Sequence, residues 1–300
     1  MNVEVKVQRY TERTFSVNGI TLALKCWGDN SLPPILALHG WLDNAATYDA
    51  LAPMFNNHYF VAVDFAGHGL SDHRGQDASY YLWDHAIDVC ELVDLMAWDR
   101  FTIVAHSMGT GVASVLSSIN KKIDKIIFLD GMGAPFYIEE GQTVQHIQRS
   151  YRLRKMSRKR CHNSYVSNIA AMFNTKDEAI EKRMDGVGGR ISHQASEMLV
   201  SRDLTYVNNE FRWRHDPRLI LPESMQLTKT QALEFLKNIE VPLCVLLGVS
   251  GLFFGEAYSE RAGSLPKNSR VHWVEGGHHF HLEKLKSSTL DQINNFLEEN

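Results

Sequence analysis

Residues 101–111 read FTIVAHSMGTG, and this stretch decides the fold. An apolar run ends at Ser107, and small residues follow it where a helix would begin. The pattern is that of a nucleophile elbow, in which a strand turns sharply into a helix with the serine at the apex. The tight turn needs small residues two positions before and after the serine, and Ala105 and Gly109 meet that need. Because many surface turns share this pattern, the interpretation depends on which partners the rest of the chain supplies.

Composition and charge set the broad class. The chain has 300 residues, of which 44% are apolar and 22% charged, which indicates one large domain or one domain with an insertion. The net charge of −4 gives no reason to expect nucleic acid or an anionic membrane as a partner. No uncharged run is long enough to insert into a bilayer, and the N-terminal residues lack the apolar core of a signal peptide. Four distant cysteines without a CxxC pair are typical of buried thiols in a reducing compartment: Cys26, Cys90, Cys161 and Cys244. We expect a soluble cytoplasmic protein.

Hydrophobic patterning predicts an α/β fold. Residues 14–28 alternate around Asn18-Gly19, which indicates an antiparallel hairpin. Continuous apolar runs follow, and these are typical of parallel strands covered on both faces: 35–38, 59–65, 101–106, 125–130, 243–248 and 270–275. Helical periodicity falls between them, at 80–97 and 282–297 among others. The alternation of strands and helices predicts a mostly parallel sheet.

One interval breaks this alternation. Residues 134–238 contain no buried-strand run, so we expect an inserted helical cap between two parts of a core, 1–133 and 239–300. The insertion includes QRSYRLRKMSRKR at 148–160, with seven Arg or Lys and no acidic residue. A solvated helix face explains such a run better than an anion-binding patch does. Four apolar residues are candidates for the inner wall of the cap, or equally for its own core: Met172, Phe173, Phe211 and Trp213.

Reactive residue types follow three of the predicted strands. Ligands of open α/β sheets bind beyond the carboxyl ends of the strands, and Ser107, Asp130 and His278 all lie at such ends. A serine needs a base to take its proton, and a carboxylate on the far ring nitrogen fixes the tautomer of that base. The oxyanion of the tetrahedral intermediate also needs backbone N–H donors, which Trp41 and Met108 are placed to supply.

Five motifs together resemble the α/β-hydrolase superfamily, and most closely the serine hydrolase-like proteins and their bacterial relatives. They are HGWLDNA (39–45), DFAGHGLSDH (64–73), AHSMG (105–109), FLDGMG (128–133) and GGHHFHLE (276–283). The resemblance covers about 15–133 and 240–298. It implies an eight-stranded, mostly parallel sheet with an N-terminal antiparallel hairpin. It also implies a serine hydrolase that forms an acyl-enzyme with a small-molecule ester, thioester or related carbonyl substrate, without a cofactor.

The acid of this triad is the open assignment. Many α/β-hydrolases carry it after the seventh strand as G-x-x-D, whereas residues 248–251 here read GVSG and lack a carboxylate. Some relatives place the acid after the sixth strand, which favours Asp130, with Glu256 as the alternative. The elbow also departs from the family pattern, with Ala105 in place of the first glycine.

Neighbouring polar residues have plainer interpretations. The pattern G-H-x-x-h-L-E favours His278 over His279 as the base, and His281 is then expected to face the core or to donate to a backbone carbonyl. His106 and His68 are interpreted as structural, and Asp64 as a residue that organises a turn. No local motif predicts a metal or a cofactor. Two other functions stay open, a hydrolase of carbon–carbon bonds with the same triad and a ligand receptor that has lost catalysis.

Overall fold

An eight-stranded sheet forms the centre of the molecule. The computed structural model describes residues 10–160, 172–186, 188–283 and 285–299. The strands of the sheet are β1 (Tyr10–Val17), β2 (Ile20–Trp27), β3 (Pro34–Leu38), β4 (Tyr59–Val63), β5 (Phe101–His106), β6 (Ile123–Leu129), β7 (Leu243–Ser250) and β8 (Arg270–Gly277). Their spatial order is β1-β2-β4-β3-β5-β6-β7-β8. Pairing is antiparallel from β1 to β4 and parallel in the rest of the sheet, which confirms the predicted α/β-hydrolase fold.

The predicted hairpin is present between β1 and β2. Asn18 has φ +49° and Gly19 has φ +80°, the left-handed conformation that a two-residue turn of this type requires. Val17 pairs with Ile20 directly across the turn.

Helices cover both faces of the sheet, and the segment between β6 and β7 contains further helices. The helices are α1 (Leu82–Leu95), α2 (Gly109–Ile119), α3 (Thr143–Arg160), α4 (Lys176–Met184), α5 (His193–Asp203), α6 (Lys229–Lys237), α7 (Glu256–Ala262) and α8 (Ser287–Glu298). Alternate residues of β3 pack on opposite faces of the sheet. Leu36 and Leu38 belong to an apolar cluster that includes side chains of α1 and α2. Ile35 and Ala37 belong to a second cluster, which includes side chains of α8. Burial on both faces explains why these strands read as continuous apolar runs.

Two details of the prediction needed correction. Helix α8 begins at Ser287 rather than near residue 282, because residues 280–283 form turns that bury Leu282. The insertion between β6 and β7 is helical but also holds short strands. Residues 172–173, 204–207 and 210–213 form a three-stranded antiparallel sheet, and 185–186 pairs with 189–190. Strands this short, and largely half-buried or exposed, leave no long apolar run in the sequence.

The structure describes three of the four cysteines. Cys26 and Cys244 are buried thiols and Cys90 is half-buried, whereas Cys161 and residues 1–9 lie outside the described residues. Within the described ranges, no helix combines the length and the apolar character needed to cross a membrane.

Candidate active site

Ser107 lies at the apex of the turn between β5 and α2. Its φ is +49°, a left-handed value that non-glycine residues rarely adopt outside such turns. The backbone N–H of Ser107 donates to the Leu129 carbonyl at 3.2 Å, which fixes the turn against β6. A β-carbon on Gly109 would lie 2.7 Å from the Leu38 carbonyl carbon, so the small residue after the serine is a steric requirement. The fold therefore holds the serine in a strained, defined position.

His278 and Asp130 meet across the carboxyl edge of the sheet. His278 follows β8 and Asp130 follows β6, and His278 Nδ1 lies 2.5 Å from Asp130 Oδ2. Asp130 is fully buried and His278 is 3% exposed, so water does not compete for this contact. The other candidate acid, Glu256, is exposed on α7 and has no contact with His278 among the described residues. Of the two carboxylates, the structure therefore brings Asp130 to the histidine.

The end of β7 and the loop after it hold the Asp130 carboxylate in place. Gly248 N–H donates to Asp130 Oδ1 at 2.9 Å, and Leu252 N–H donates to Oδ2 at 3.0 Å. Gly251 lies so close that a β-carbon there would overlap the carboxylate. The loop that lacks an acid of its own thus binds the acid that comes from β6.

Trp41 lines the same cavity as Ser107, and Met108 follows Ser107 directly in the chain. Trp41 lies in the loop after β3, and Met108 immediately precedes α2, where the unpaired N–H groups of the first turn point out of the helix. In the part of the chain that the structure describes, neither N–H donates a hydrogen bond. The Trp41 indole has a separate contact, in which Nε1 donates to the Leu219 carbonyl at 3.0 Å.

Two cavities open around these groups. The larger has a volume of about 760 Å³ and is lined by Ser107 and His278, and by Arg183, Trp213 and His215 of the insertion. The smaller, of about 190 Å³, adjoins Trp41 and Met108 and has mainly apolar walls. Of the four predicted wall residues, Trp213 lines the larger cavity. Phe173 and Phe211 pack with it in the apolar core of the insertion, and Met172 is exposed.

A hairpin of the insertion lies directly on His278. A β-carbon on Gly188, which has φ +89°, would lie 2.5 Å from both Cβ and Cγ of His278. The neighbouring Gly189 also has a left-handed φ, of +103°, but no atom outside its chain neighbours comes within 4 Å of its β-carbon position. The sequence alone did not connect this glycine-rich loop with the histidine.

Asp43 is the site residue that sequence reasoning missed. Its carboxylate lies 3.3 Å from His279 Nε2 and 3.2 Å from His106 Nδ1, and accepts a 2.5 Å bond from Arg183. Burial acts to raise the pKa of Asp43, but His279, His106 and Arg183 together hold it well below its usual value. Burial lowers the pKa of His106 to about 4. Asp43 is part of the HGWLDNA motif at 39–45, but the three residues that its carboxylate contacts lie in three other segments of the chain.

Other polar residues have structural contacts. Asp64 accepts backbone N–H bonds from Ala45 at 2.7 Å and Leu70 at 2.8 Å, as expected of a residue that organises a turn. His281 is fully buried and its Nε2 lies 2.9 Å from Thr47 Oγ1. His68 is likewise fully buried.

The basic stretch 148–160 forms most of α3. Arg154 contacts the smaller cavity and donates from Nε to the Pro222 carbonyl at 3.0 Å. Arg149, Arg152 and Lys155 face outward as expected of a solvated helix face, and the side chains of 158–160 lie outside the described residues.

Comparison with known proteins supports the same family. A family model described as alpha/beta hydrolase fold matches residues 33–169. The serine hydrolase-like protein of Dictyostelium discoideum is 31% identical over 291 residues, which cover 94% of this chain and 80% of that protein. The serine hydrolase-like protein of Danio rerio is 29% identical over 267 residues, which cover 85% of this chain and 79% of that protein.

A solved structure is similar over almost the whole chain. A hypothetical protein of Pseudomonas aeruginosa PAO1 is 33% identical with a TM-score of 0.85, over 95% of this chain and 97% of that one. The resemblance expected from the motifs is thereby confirmed. With its elbow serine, its sheet order and these relatives, the chain belongs to the α/β-hydrolase superfamily and is related to the serine hydrolase-like proteins.

Proposed function

We propose that this chain is a serine hydrolase that cleaves an ester, a thioester or a related carbonyl substrate through a covalent acyl-enzyme. The observation that supports it best is the 2.5 Å contact between His278 and Asp130 at the cavity that also contains Ser107. With Nδ1–H donated to the carboxylate, Nε2 keeps the lone pair that a general base needs.

The chemistry follows from these positions. Ser107 Oγ attacks the carbonyl carbon as His278 takes its proton, and the resulting imidazolium protonates the leaving group. Water then attacks the acyl-enzyme with His278 again as the base. The N–H groups of Trp41 and Met108 stabilise the oxyanion of each tetrahedral intermediate, and losing one such donor typically costs about 2.7–4 kcal/mol in the barrier.

Residues 134–238 act in this proposal as a cap that selects the substrate. Arg183 and Trp213 of this segment line the larger cavity, and Leu219 and Ile220 line the smaller one. An apolar group of the substrate fits the smaller cavity beside the oxyanion donors. We place this activity in the cytoplasm, on small-molecule substrates.

Covalent labelling with a fluorophosphonate probe tests the proposal. The wild type is expected to incorporate one probe per chain and to hydrolyse aryl esters or acyl thioesters, and Ser107→Ala to do neither while keeping its circular dichroism spectrum. Labelling that survives Ser107→Ala would exclude this serine as the nucleophile. A wild type that binds small carbonyl compounds but neither labels nor turns over would support the receptor alternative. Faster turnover of diketones than of esters of equal size would support carbon–carbon hydrolysis.

A further inference from the structure

Asp43, His106 and His279 form a buried cluster next to the Ser107–His278 site. Asp43 follows β3, His106 ends β5 and His279 follows β8, so three separate strand ends contribute to it. The exposed fractions of the three residues are 3%, 0% and 5%. Their carboxylate oxygen and ring nitrogens all lie within 4.8 Å of one another. The acyl-transfer chemistry proposed above gives none of the three a role.

The hydrogen bonds of His106 leave one ring nitrogen unsatisfied. His106 Nε2 lies 3.0 Å from the His278 carbonyl oxygen, which can only accept, so Nε2 carries the proton. In the neutral ring Nδ1 then carries the lone pair. This buried atom has no hydrogen-bond partner among the described residues, although Asp43 Oδ2 is 3.2 Å away. Two acceptors so close together in a buried place are unfavourable unless a proton or a metal ion is shared between them.

Two of the three distances between the candidate ligand atoms fit a tetrahedral transition-metal site. Zinc binds imidazole nitrogen at about 2.0–2.1 Å and carboxylate oxygen at about 2.0–2.2 Å, so two of its ligands are roughly 3.3–3.5 Å apart. Asp43 Oδ2 lies 3.2 Å from His106 Nδ1 and 3.3 Å from His279 Nε2. A direct charge-assisted hydrogen bond between such groups is usually shorter, at about 2.7–2.9 Å.

The surroundings of His106 and Asp43 resemble those of metal ligands. A histidine ligand usually donates its other N–H to a carbonyl or carboxylate, as His106 does toward the His278 carbonyl. A ligating carboxylate is usually hydrogen-bonded on its other oxygen, and Arg183 donates to Asp43 Oδ1 while leaving Oδ2 available. All three candidate ligands also line the larger cavity, which gives an ion a path and leaves room for a fourth ligand.

We propose that Asp43 Oδ2, His106 Nδ1 and His279 Nε2 bind a divalent transition-metal ion of the zinc type, with a fourth ligand from the cavity. Bound metal links the loop after β3, the strand end before Ser107 and the loop that carries His278. Binding therefore stabilises the folded chain. Sequence spacing does not indicate the site because its ligands come from three distant segments.

Calorimetric titration of the metal-free full chain with zinc chloride tests the site. The wild type is expected to bind one equivalent and to gain thermal stability on binding. We expect Asp43→Asn and His279→Gln to bind at least tenfold more weakly and to lose the thermal shift. His193→Gln, a variant at an exposed histidine on α5, is the matched control and is expected to retain wild-type affinity.

A measurement on the wild type alone keeps the test valid if a variant does not fold. Cobalt(II) added to the metal-free protein is expected to give visible absorption bands of a tetrahedral site with nitrogen and oxygen ligands. The proposal is wrong if zinc shows no saturable binding, if the cobalt spectrum shows a thiolate charge-transfer band, or if folded Asp43→Asn and His279→Gln bind like the wild type. None of these readouts uses turnover, so they are independent of whether the proposed hydrolase activity is found.

Discussion

Gly251 lies against the carboxylate of Asp130, so close that a β-carbon at position 251 would be 2.6 Å from Asp130 Cγ. Position 251 belongs to the loop after β7, where many α/β-hydrolases carry the acid of their triad. Here the glycine leaves the space that the acid from β6 occupies, and N–H groups of Gly248 and Leu252 bind the carboxylate. The absence of a side chain at position 251 after β7 therefore makes room for the carboxylate that follows β6.

Gly251→Ala tests this arrangement. The φ of Gly251 is outside the left-handed region, so the backbone tolerates alanine and the main effect is displacement of Asp130 from His278. Because a displacement of about 1 Å in catalytic geometry can cost roughly 10²-fold in rate, we expect kcat to fall by about that factor. Gly263→Ala is the matched control, since no atom lies within 4 Å of its β-carbon position. Equal activity of the two variants would argue against the packing role of Gly251.

Asp130→Asn tests the identity of the acid. An amide can hold the wrong histidine tautomer, and in a Ser-His-Asp triad this change lowers kcat by about 10⁴-fold. Glu256→Gln, at an exposed position on α7, is expected to leave kcat unchanged. Initial rates with an aryl ester, compared at equal folded fraction, distinguish the two carboxylates. The reverse result would assign the acid to Glu256.

The sheet could be predicted because its buried strands are continuous apolar runs in the sequence. The strand-end residues could be predicted because each of them directly follows one of these runs. Ser107, Asp130 and His278 could be named in this way, since the fold brings all carboxyl ends of parallel strands to one edge. The contact of Asp43 with His106 and His279 could not be predicted, because it depends on the side-chain directions of one strand end and two loops that are far apart in the sequence. The small sheet of the insertion was missed for another reason, namely that its strands of two to four residues have no periodicity to detect.

Gly188→Ala is expected to lower activity more than Gly189→Ala. Both glycines have left-handed φ values, so both alanine variants strain the hairpin to a similar degree. Only the β-carbon at 188 would overlap the His278 ring, and we expect kcat to fall by about tenfold or more relative to Gly189→Ala. Steady-state kinetics of the two variants, with their melting temperatures measured in parallel, isolates the contact. Similar kcat values would show that the hairpin does not position His278.

Arg202→Met is expected to destabilise the fold strongly. Arg202 of α5 donates from Nε to the fully buried Asp64 at 2.8 Å and contacts Glu12 at 2.6 Å. Its loss leaves a buried carboxylate without its cation, which typically costs about 3–5 kcal/mol in the free energy of unfolding. Lys121→Met, in an exposed pair with Glu240, is expected to cost less than about 1 kcal/mol. Urea unfolding measures both, and the double variant Arg202→Met/Asp64→Asn is expected to be less destabilised than the sum of its single changes.

Glu223 gives the fold a pH dependence near the smaller cavity. The residue lines that cavity together with Trp41 and Met108, and burial raises the pKa of its carboxyl to about 8, although the charge of Arg154 acts to lower it. In the unfolded chain the pKa of the same carboxyl is near the ordinary glutamate value of 4.5. Between these two values the folded chain holds a proton that the unfolded chain has released. The contribution of Glu223 to stability therefore falls as pH rises from about 4.5 to about 8 and levels off above that.

Glu223→Gln removes this titration while keeping a neutral side chain of similar size. We expect the difference in unfolding free energy between variant and wild type to shift in favour of the variant as pH rises from about 5 to about 8.5. Urea unfolding at several pH values measures this difference, with Glu256→Gln as the control at an exposed carboxylate. Ionised Glu223 also makes the cavity less suited to an apolar group, so KM of the wild type for apolar esters is expected to rise above about pH 8, and that of Glu223→Gln to rise less. A stability difference that does not change with pH would mean that Glu223 is already ionised in the folded chain at pH 5.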